Sequence, residues 1–234
     1  MVEDADKVLY GLKALIKMVD AKEGYIGIET NKPDAIQKME EVTADEENIG
    51  VVPLEVKYPQ GGEKQLIKAI LDREVPSGGL PLDVGVVVNN VGTAVAITDA
   101  IQTGMPLVQR TVTVTGDVKE PQNLIFRIGT SIKQLIEQSG GFEGKPGKVI
   151  LGGPMMGQAQ SDLTMPATKG TSGILLLNRD EAAHYSEAGP CIRCARCVDA
   201  CPAKLLPTKI TALTKAEMIM ELEDYSTLDC IIYL

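Results

Sequence analysis

The stretch GYIGIETNKPDAIQKMEEV, residues 24–42, sets the pattern on which the fold is predicted. Its first eight residues predict a short β-strand, and Pro33 suits the first turn of the helix that follows. A helix predicted over residues 4–20 precedes this stretch, and a strand over 48–59 and a helix over 63–74 follow it. Because buried strands alternate with helices, the sequence predicts an α/β layer with parallel strands.

The same alternation continues to about residue 107. The apolar run LDVGVVVNN, residues 82–90, predicts one more buried strand, and residues 91–104 predict a helix that ends at Gly104 with Pro106 just beyond it. The first predicted domain therefore spans residues 1–107.

Beyond residue 107 the pattern changes to alternating β-rich segments around one short helix, SIKQLIEQSGG at residues 131–141. This arrangement predicts a small α+β domain over residues 108–178. The remaining residues, 179–234, contain the cysteines and form the third predicted segment.

Charge and hydropathy exclude several classes of function. The net charge is −9 and the sequence pI is about 4.8, so phosphate backbones and anionic membranes would be repelled, and we predict no nucleic-acid partner. Every apolar run is shorter than the ~20 residues that a membrane span needs. The acidic, amphipathic start does not resemble a signal peptide, so we expect a cytoplasmic chain with reduced thiols.

Four of the five cysteines lie in the run CIRCARCVDACP, with the spacing Cys191-x2-Cys194-x2-Cys197-x3-Cys201-Pro202. This is the ligand run of bacterial-type [4Fe–4S] ferredoxins, in which three thiolates hold one cluster and the fourth ligates the other cluster. Zinc bound by the same four thiolates is an alternative, and disulfides are disfavoured in a reducing compartment.

A second cysteine run is absent, because only Cys230 follows the first run at a distance of about thirty residues. Under cross-ligation the first cluster would lack a fourth ligand, and the second would have only Cys201 and Cys230. Two outcomes are open: Cys201 completes a single cluster, or the thiols stay empty.

Together with the cysteine run, three further motifs resemble the subunit designated C in the Rnf electron-transport complex. They are VKYPQGGEKQLI at residues 56–67, VVNNVGTAVAI at residues 87–97 and GGPMMG at residues 152–157. The sequence is also similar to the flavin-bearing subunit of respiratory complex I. The resemblance implies a peripheral subunit at the cytoplasmic face of the bacterial membrane. There it would act with the other Rnf subunits, and indirectly with ferredoxin, to move electrons between NAD(H), FMN and two [4Fe–4S] clusters.

The resemblance also implies which residues contact FMN. Two segments match the flavin loops of the complex I relative: Tyr58, Gly61, Gly62 and Glu63 in one, and Val88, Asn89, Asn90 and Thr93 in the other. Backbone N–H groups of a glycine loop and side chains at the carboxyl end of a strand can both bond polar groups of a ligand. Without the family, the same residues would be interpreted as a plain turn, a strand end and a solvated helix start.

In fold terms, the resemblance implies a partial Rossmann-like flavin domain, a β-grasp domain and an incomplete α-helical ferredoxin segment. The N-terminal part of the family's flavin domain has no counterpart here, so we expect weak FMN binding and no activity from this chain alone. GGPMMG lacks the Lys-Ser/Thr of a P-loop, so we assign it a structural role with Met155 and Met156 in the core.

Two other interpretations remain. One is a partner-docking scaffold without a bound cofactor, and the other is a zinc-stabilised domain. The single histidine, His184, gives no support for a hydrolytic triad, and the sequence assigns no catalytic residue.

Overall fold

The computed structural model describes residues 1–180 and 189–230. The chain forms two compact units, Met1–Pro106 and Leu107–Leu234. The elements of the first unit are α1 (Ala5–Val19), β1 (Gly24–Glu29), α2 (Pro33–Thr43), β2 (Ile49–Leu54), α3 (Glu63–Leu71) and α4 (Val91–Thr103). The architecture is mixed α/β, as the alternation of patterns predicts.

Strands β1 and β2 pair in parallel, from Gly24 opposite Ile49 to Glu29 opposite Leu54. Their inward side chains join those of α1 and α2 in the first core, which includes Val8, Ile26, Ile28, Met39 and Ile49. Met39 is completely buried. The parallel pairing is the one predicted from the sequence, since a helix connects the two strands.

Helices α1 and α4 pack in close contact in the first unit. A Cβ atom at Gly11 would lie 2.1 Å from the carbonyl oxygen of Ala94. The hydroxyl of Thr98 donates a hydrogen bond of 2.6 Å to the carbonyl oxygen of Lys7. As predicted, α4 ends at Gly104, whose left-handed backbone lets its N–H bond the carbonyl oxygen of Ala100.

The strand predicted over residues 82–90 does not form. Pro81–Val84 is a 3₁₀ turn that ends at Gly85, where φ is +71°. The carboxylate of Asp83 accepts a hydrogen bond from the N–H of Leu80. In the described part of the chain β1 and β2 pair only with each other, and residues 86–90 form no strand. Local turn chemistry at proline, aspartate and glycine overrides the apolar pattern here.

The second unit contains a five-stranded sheet with one covering helix. Its elements are β3 (Gln109–Gly116), β4 (Gln122–Arg127), α5 (Ile132–Gln138), β5 (Pro146–Leu151), β6 (Gln158–Gln160) and β7 (Gly173–Asn178). The strand order is β4-β3-β7-β5-β6. Only β3 and β7 are parallel, and the other neighbours are antiparallel.

Helix α5 supplies one side of the second core. Ile132, Leu135 and Ile136 pack against strand residues such as Val112 and Leu176. The helix begins at a capping box, in which Ser131 and Gln134 each bond the other's backbone N–H. This is the helix that the sequence predicts at residues 131–141.

The cysteine segment is helical in short pieces. It contains α6 (Arg196–Asp199), α7 (Pro207–Lys215) and two 3₁₀ turns at Ile219–Tyr225 and Thr227–Asp229. Across the described ranges, no helix combines the length and the apolar character that crossing a membrane requires.

Candidate cofactor sites

The first candidate segment, residues 58–63, is the loop between β2 and α3. Tyr58 and Gly61 are exposed, and Glu63 is the first residue of α3. A Cβ atom at Gly61 would meet no heavy atom within 4 Å, whereas one at Gly62 would lie 2.4 Å from the amide oxygen of Gln65. The backbone at Gly61 is therefore open to an approaching ligand, whereas a side chain at Gly62 would require the flexible Gln65 side chain to move aside.

The second candidate segment, residues 88–93, leads into α4. The side-chain oxygen of Asn90 accepts a hydrogen bond of 2.9 Å from the N–H of Gly92, so Asn90 is the N-cap of α4. Asn89 is exposed, while Val88 and Thr93 are half-buried. Of the two asparagines, Asn90 therefore caps the helix, whereas the side chain of Asn89 is accessible to a ligand.

Side-chain bonds connect α3 to the loop that follows it, and connect this loop to the turn that precedes the second candidate segment. The guanidinium of Arg73 donates a hydrogen bond of 2.9 Å to the carbonyl oxygen of Val84, and Lys64 Nζ lies 3.5 Å from the carbonyl oxygen of Pro76. Within residues 1–180 and 189–230, no hydrogen bond or ion pair joins residues 58–63 directly to residues 88–93. Sequence reasoning missed Arg73, because its partner is a backbone carbonyl that leaves no motif.

Charges near this region are concentrated at the end of α3. Lys68 Nζ lies 2.7 Å from Asp72 and 2.9 Å from Glu74. The hydrogen bonds from Lys68 to these two carboxylates raise the pKa of Lys68, and the bond from Lys68 lowers the pKa of Asp72. These groups are solvent-exposed, so they stabilise the loop only weakly.

The cysteine run begins as an exposed loop, residues 189–195, that leads into the short helix α6. Cys191, Cys194 and Cys197 are exposed, Cys201 and Cys230 are half-buried, and all five are free thiols. In the described residues no three cysteine, histidine or acidic side chains converge closely enough to hold a metal ion. The predicted cysteine ligands are therefore accessible, but the structure does not bring them together around one point. His184 lies outside the described residues.

Backbone geometry in this loop is compatible with wrapping a bound group. Arg193 and Ala195, on either side of Cys194, have φ values of +56° and +60°. Such left-handed conformations cost about 1–2 kcal/mol for non-glycine residues, and one lies between each two successive cysteines from Cys191 to Cys197. Thiolates are the donors preferred by iron–sulfur clusters and zinc, so the donor set fits either group.

The GGPMMG loop, residues 152–157, contradicts the expectation that Met155 and Met156 lie in the core. A Cβ atom at Gly157 would lie 2.4 Å from Ile150 and 2.5 Å from the carbonyl oxygen of Gly153, so tight packing requires that glycine. Met155 and Met156 are 54% and 47% exposed. The loop has a compact structure, but its methionines point to solvent instead of filling the core.

Two family models match the chain. The Nuo51 FMN-binding domain matches residues 1–99, and the SLBB domain matches residues 111–159. The NAD+-reducing [NiFe]-hydrogenase in its air-oxidised state has a similar structure, with a TM-score of 0.59 and 17% identity. This similarity covers 75% of the chain and 36% of the hydrogenase chain, and it shows a shared fold.

Curated relatives match almost the whole chain, and each is the subunit designated C in its complex. The one from the proton-translocating ferredoxin:NAD(+) oxidoreductase complex of Clostridium ljungdahlii is 47% identical over 98% of the chain and 50% of the relative. The one from the Na(+)-translocating complex of Acetobacterium woodii is also 47% identical, over 98% of the chain and 52% of the relative. The one from the ion-translocating oxidoreductase complex of Rhodobacter capsulatus is 40% identical over 91% of the chain and 41% of the relative.

The chain spans about half the length of the first two of these relatives. Identity at this level over more than 200 aligned residues establishes common descent. Over nearly its whole length the chain is therefore a homologue of this subunit of the ion-translocating ferredoxin:NAD(+) oxidoreductase complexes.

Proposed function

We propose that this chain is a peripheral electron-transfer module of a membrane-bound, ion-translocating NAD:ferredoxin oxidoreductase. In this role it would pass electrons between NAD(H), FMN and [4Fe–4S] clusters. The observation that carries the proposal is the 47% identity to two such subunits over 98% of the chain. Oxidoreductase activity would belong to the assembled complex, since the electrons that this chain exchanges with NAD(H) would have to pass to or from the other subunits.

The proposed division of labour follows the predicted domains. Residues 1–107 would form part of the FMN- and NADH-binding domain, residues 108–178 a β-grasp domain and residues 179–234 the cluster segment. We place the chain at the cytoplasmic face of the membrane, where it would contact the other subunits and exchange electrons with ferredoxin indirectly.

In the first domain, the proposed FMN contacts are the two candidate segments. Bound FMN exchanges two electrons with NAD(H) and single electrons with iron–sulfur clusters. The exposed backbone at Gly61 would approach the ligand, and the side chains of Tyr58, Glu63 and Asn89 border the same loops. Thr93 lies in the first turn of α4, where a hydroxyl and helical N–H groups favour a phosphate.

In the cluster segment, the proposed ligands are the thiolates of Cys191, Cys194 and Cys197, with Cys201 as the fourth. Cys230 would act as a ligand only if the two-cluster arrangement holds. The left-handed residues Arg193 and Ala195 let the loop turn so that the three exposed thiols can face a common centre.

Iron and sulfide content after anaerobic purification tests this proposal. The wild-type chain should contain about four irons and show broad absorbance near ~400 nm. Cys194→Ser should remove most of the iron, whereas Cys230→Ser should retain it if Cys201 completes one cluster. Loss of iron in both variants would indicate cross-ligation, and a colourless protein that holds zinc would contradict the proposal.

A partner-docking scaffold without a cofactor is the second candidate function. The cysteine segment exposes several large apolar side chains, which favours contact with another protein. The most exposed are Ile192, Met220 and Leu228. A wild-type chain that takes up neither iron nor FMN but still binds partner subunits would support this alternative.

A further inference from the structure

Helix α1 and the end of α4 line a groove on the surface of the first unit, which we call the α1 groove. Three large apolar side chains in it are exposed: Tyr10 by 41%, Met18 by 63% and Ile101 by 54%. The opposite side of α1 belongs to the first core, through residues such as Val8. Exposed apolar groups that share one groove are typical of a surface that contacts another molecule.

The α1 groove also contains one unpaired charge of each sign, at opposite ends of the helix. Asp6 lies in the first turn of α1 and Lys17 in the last turn, about 16 Å apart along the axis. Neither takes part in any ion pair formed within residues 1–180 and 189–230. Lys13 lines the groove between them, but its ammonium is paired with Glu46 at 2.7 Å.

This arrangement of charges is complementary to a second copy of itself. In an antiparallel pairing about a two-fold axis near the middle of α1, Asp6 of each copy lies opposite Lys17 of the other, so two ion pairs form. The same register brings Tyr10 of one copy beside Ala14 of the other, whose small side chain leaves room for the ring. A parallel pairing would bring like charges together at both ends, so the charges select the antiparallel one.

We propose that the α1 groove is a self-association surface, through which two copies of this chain form an antiparallel dimer. A partner with charges of only one sign would match one end of the groove and be repelled at the other, whereas a second copy matches both. Because the contact is built mainly from one helix of each copy, it is smaller than a standard interface of about 1,600 Å², and the dimer is weak. The dimer requires no cofactor, so it stands or falls separately from the proposed function.

Sedimentation equilibrium of the full chain, with its thiols kept reduced, tests the dimer. The wild type should show a reversible monomer–dimer equilibrium with a Kd of roughly 10–500 μM. K17D and D6K each place like charges opposite one another at both ends of the contact, so the Kd should rise at least about tenfold. The control K169D makes the same change of charge as K17D at an exposed lysine of the second unit, and its Kd should stay within about twofold of wild type.

An equimolar mixture of D6K and K17D tests the antiparallel register. In a mixed dimer each variant supplies the charge that the other lacks, so opposite charges meet again at both ends. The mixture should therefore dimerise with a Kd within about threefold of wild type, while each variant alone remains monomeric at the same concentration. A mixture that associates no better than its two components would overturn the antiparallel contact, and so would a wild type that is monomeric at about 1 mM.

The apolar part of the groove gives a test that does not change any charge of α1. Ile101→Gln removes an exposed apolar side chain from the groove and should raise the Kd at least about fivefold. Ile125→Gln is the matched control, because Ile125 is 76% exposed in the second unit and lies outside the groove. Equal Kd values for the two variants would overturn the α1 groove as the contact, even if D6K or K17D failed to fold.

Discussion

At Gly11, helix α1 packs tightly against Ala94 of α4. A methyl group there would lie 2.1 Å from a backbone oxygen of Ala94, which no side-chain rotation can relieve. We expect Gly11→Ala to lower the free energy of unfolding by about 1–3 kcal/mol, the usual cost of overpacking. Urea unfolding measures the change. A variant as stable as the wild type would show that α1 and α4 can move apart enough for the methyl group without loss of stability.

Gly61 is the matched control for that substitution and also tests the flavin site. Its Cβ would meet no protein atom within 4 Å, so Gly61→Ala should leave stability within about 0.5 kcal/mol of wild type. If FMN approaches this backbone, the same methyl group should weaken FMN binding in a fluorescence titration. Unchanged FMN affinity would remove Gly61 from the proposed contacts.

The ion pair between Lys7 and Asp99 makes stability depend on pH in the alkaline range. Their charged atoms are 2.8 Å apart, and the hydrogen bond and charge of Asp99 raise the pKa of Lys7 above its ordinary value of 10.5. A raised pKa in the folded state means that the stabilisation is complete below pH 10.5 and is lost as the pH rises through the folded value.

The stability difference between wild type and Asp99→Asn should therefore be constant near neutral pH and shrink above about pH 10.5. Urea unfolding at a series of pH values measures it. A difference that persists unchanged at the highest pH would mean that the amide perturbs packing instead of charge.

Among the helices and strands, α4 depends on Asn90, the residue that caps its N-terminus. Its side-chain oxygen bonds the N–H of Gly92 at 2.9 Å, so Asn90→Ala should lower the free energy of unfolding by about 1 kcal/mol. Asn90→Asp keeps an acceptor oxygen and should retain most of this stability. Thermal unfolding measures all three proteins.

Asn89→Ala is the control, because Asn89 is exposed and does not cap the helix. It should leave stability unchanged while lowering FMN affinity if Asn89 contacts the ligand. If Asn89→Ala destabilises the protein as much as Asn90→Ala, the assignment of the cap is wrong.

The segment before Asn90 shows how an element can be misread from its composition. Residues 82–90 are as apolar as a buried strand, yet Pro81, Asp83 and Gly85 build a turn into the first half. The second half forms no strand and pairs with none of the described strands. Apolar periodicity reports burial tendency, whereas strand formation also needs a neighbouring strand with free backbone groups.

Residues 1–180 and 189–230 contain two separate hydrophobic cores, one in each compact unit. Met39 is completely buried in the first core, and the residues of the second core all lie beyond residue 107. We expect Met39→Ala to destabilise the first unit by about 2–5 kcal/mol. Hydrogen exchange should then rise in β1 and β2 and stay unchanged in the sheet β3–β7.

Met155→Ala is the matched control, since Met155 is 54% exposed and should change stability by no more than about 0.5 kcal/mol. Faster exchange in both units after Met39→Ala would indicate that the two cores unfold as one cooperative unit.

Local signals in the sequence were sufficient to predict the structural features that depend on residues close together in the chain. The α/β alternation, the proline start of α2, the Gly104 end of α4 and the helix α5 all follow from such signals and match the structure. The cysteine spacing and the motifs around residues 56–67 and 87–97 also led to the family, because such motifs are short and contiguous.

Features that depend on distant partners became visible only in the folded chain. The fold leaves residues 86–90 outside a sheet, exposes Met155 and Met156, and brings the guanidinium of Arg73 to the carbonyl oxygen of Val84. The physical reason is that strand pairing, close helix contact and bonds to backbone carbonyls join residues far apart in the chain. Such contacts are selected by the energy of the assembled core, so no short stretch of sequence contains them.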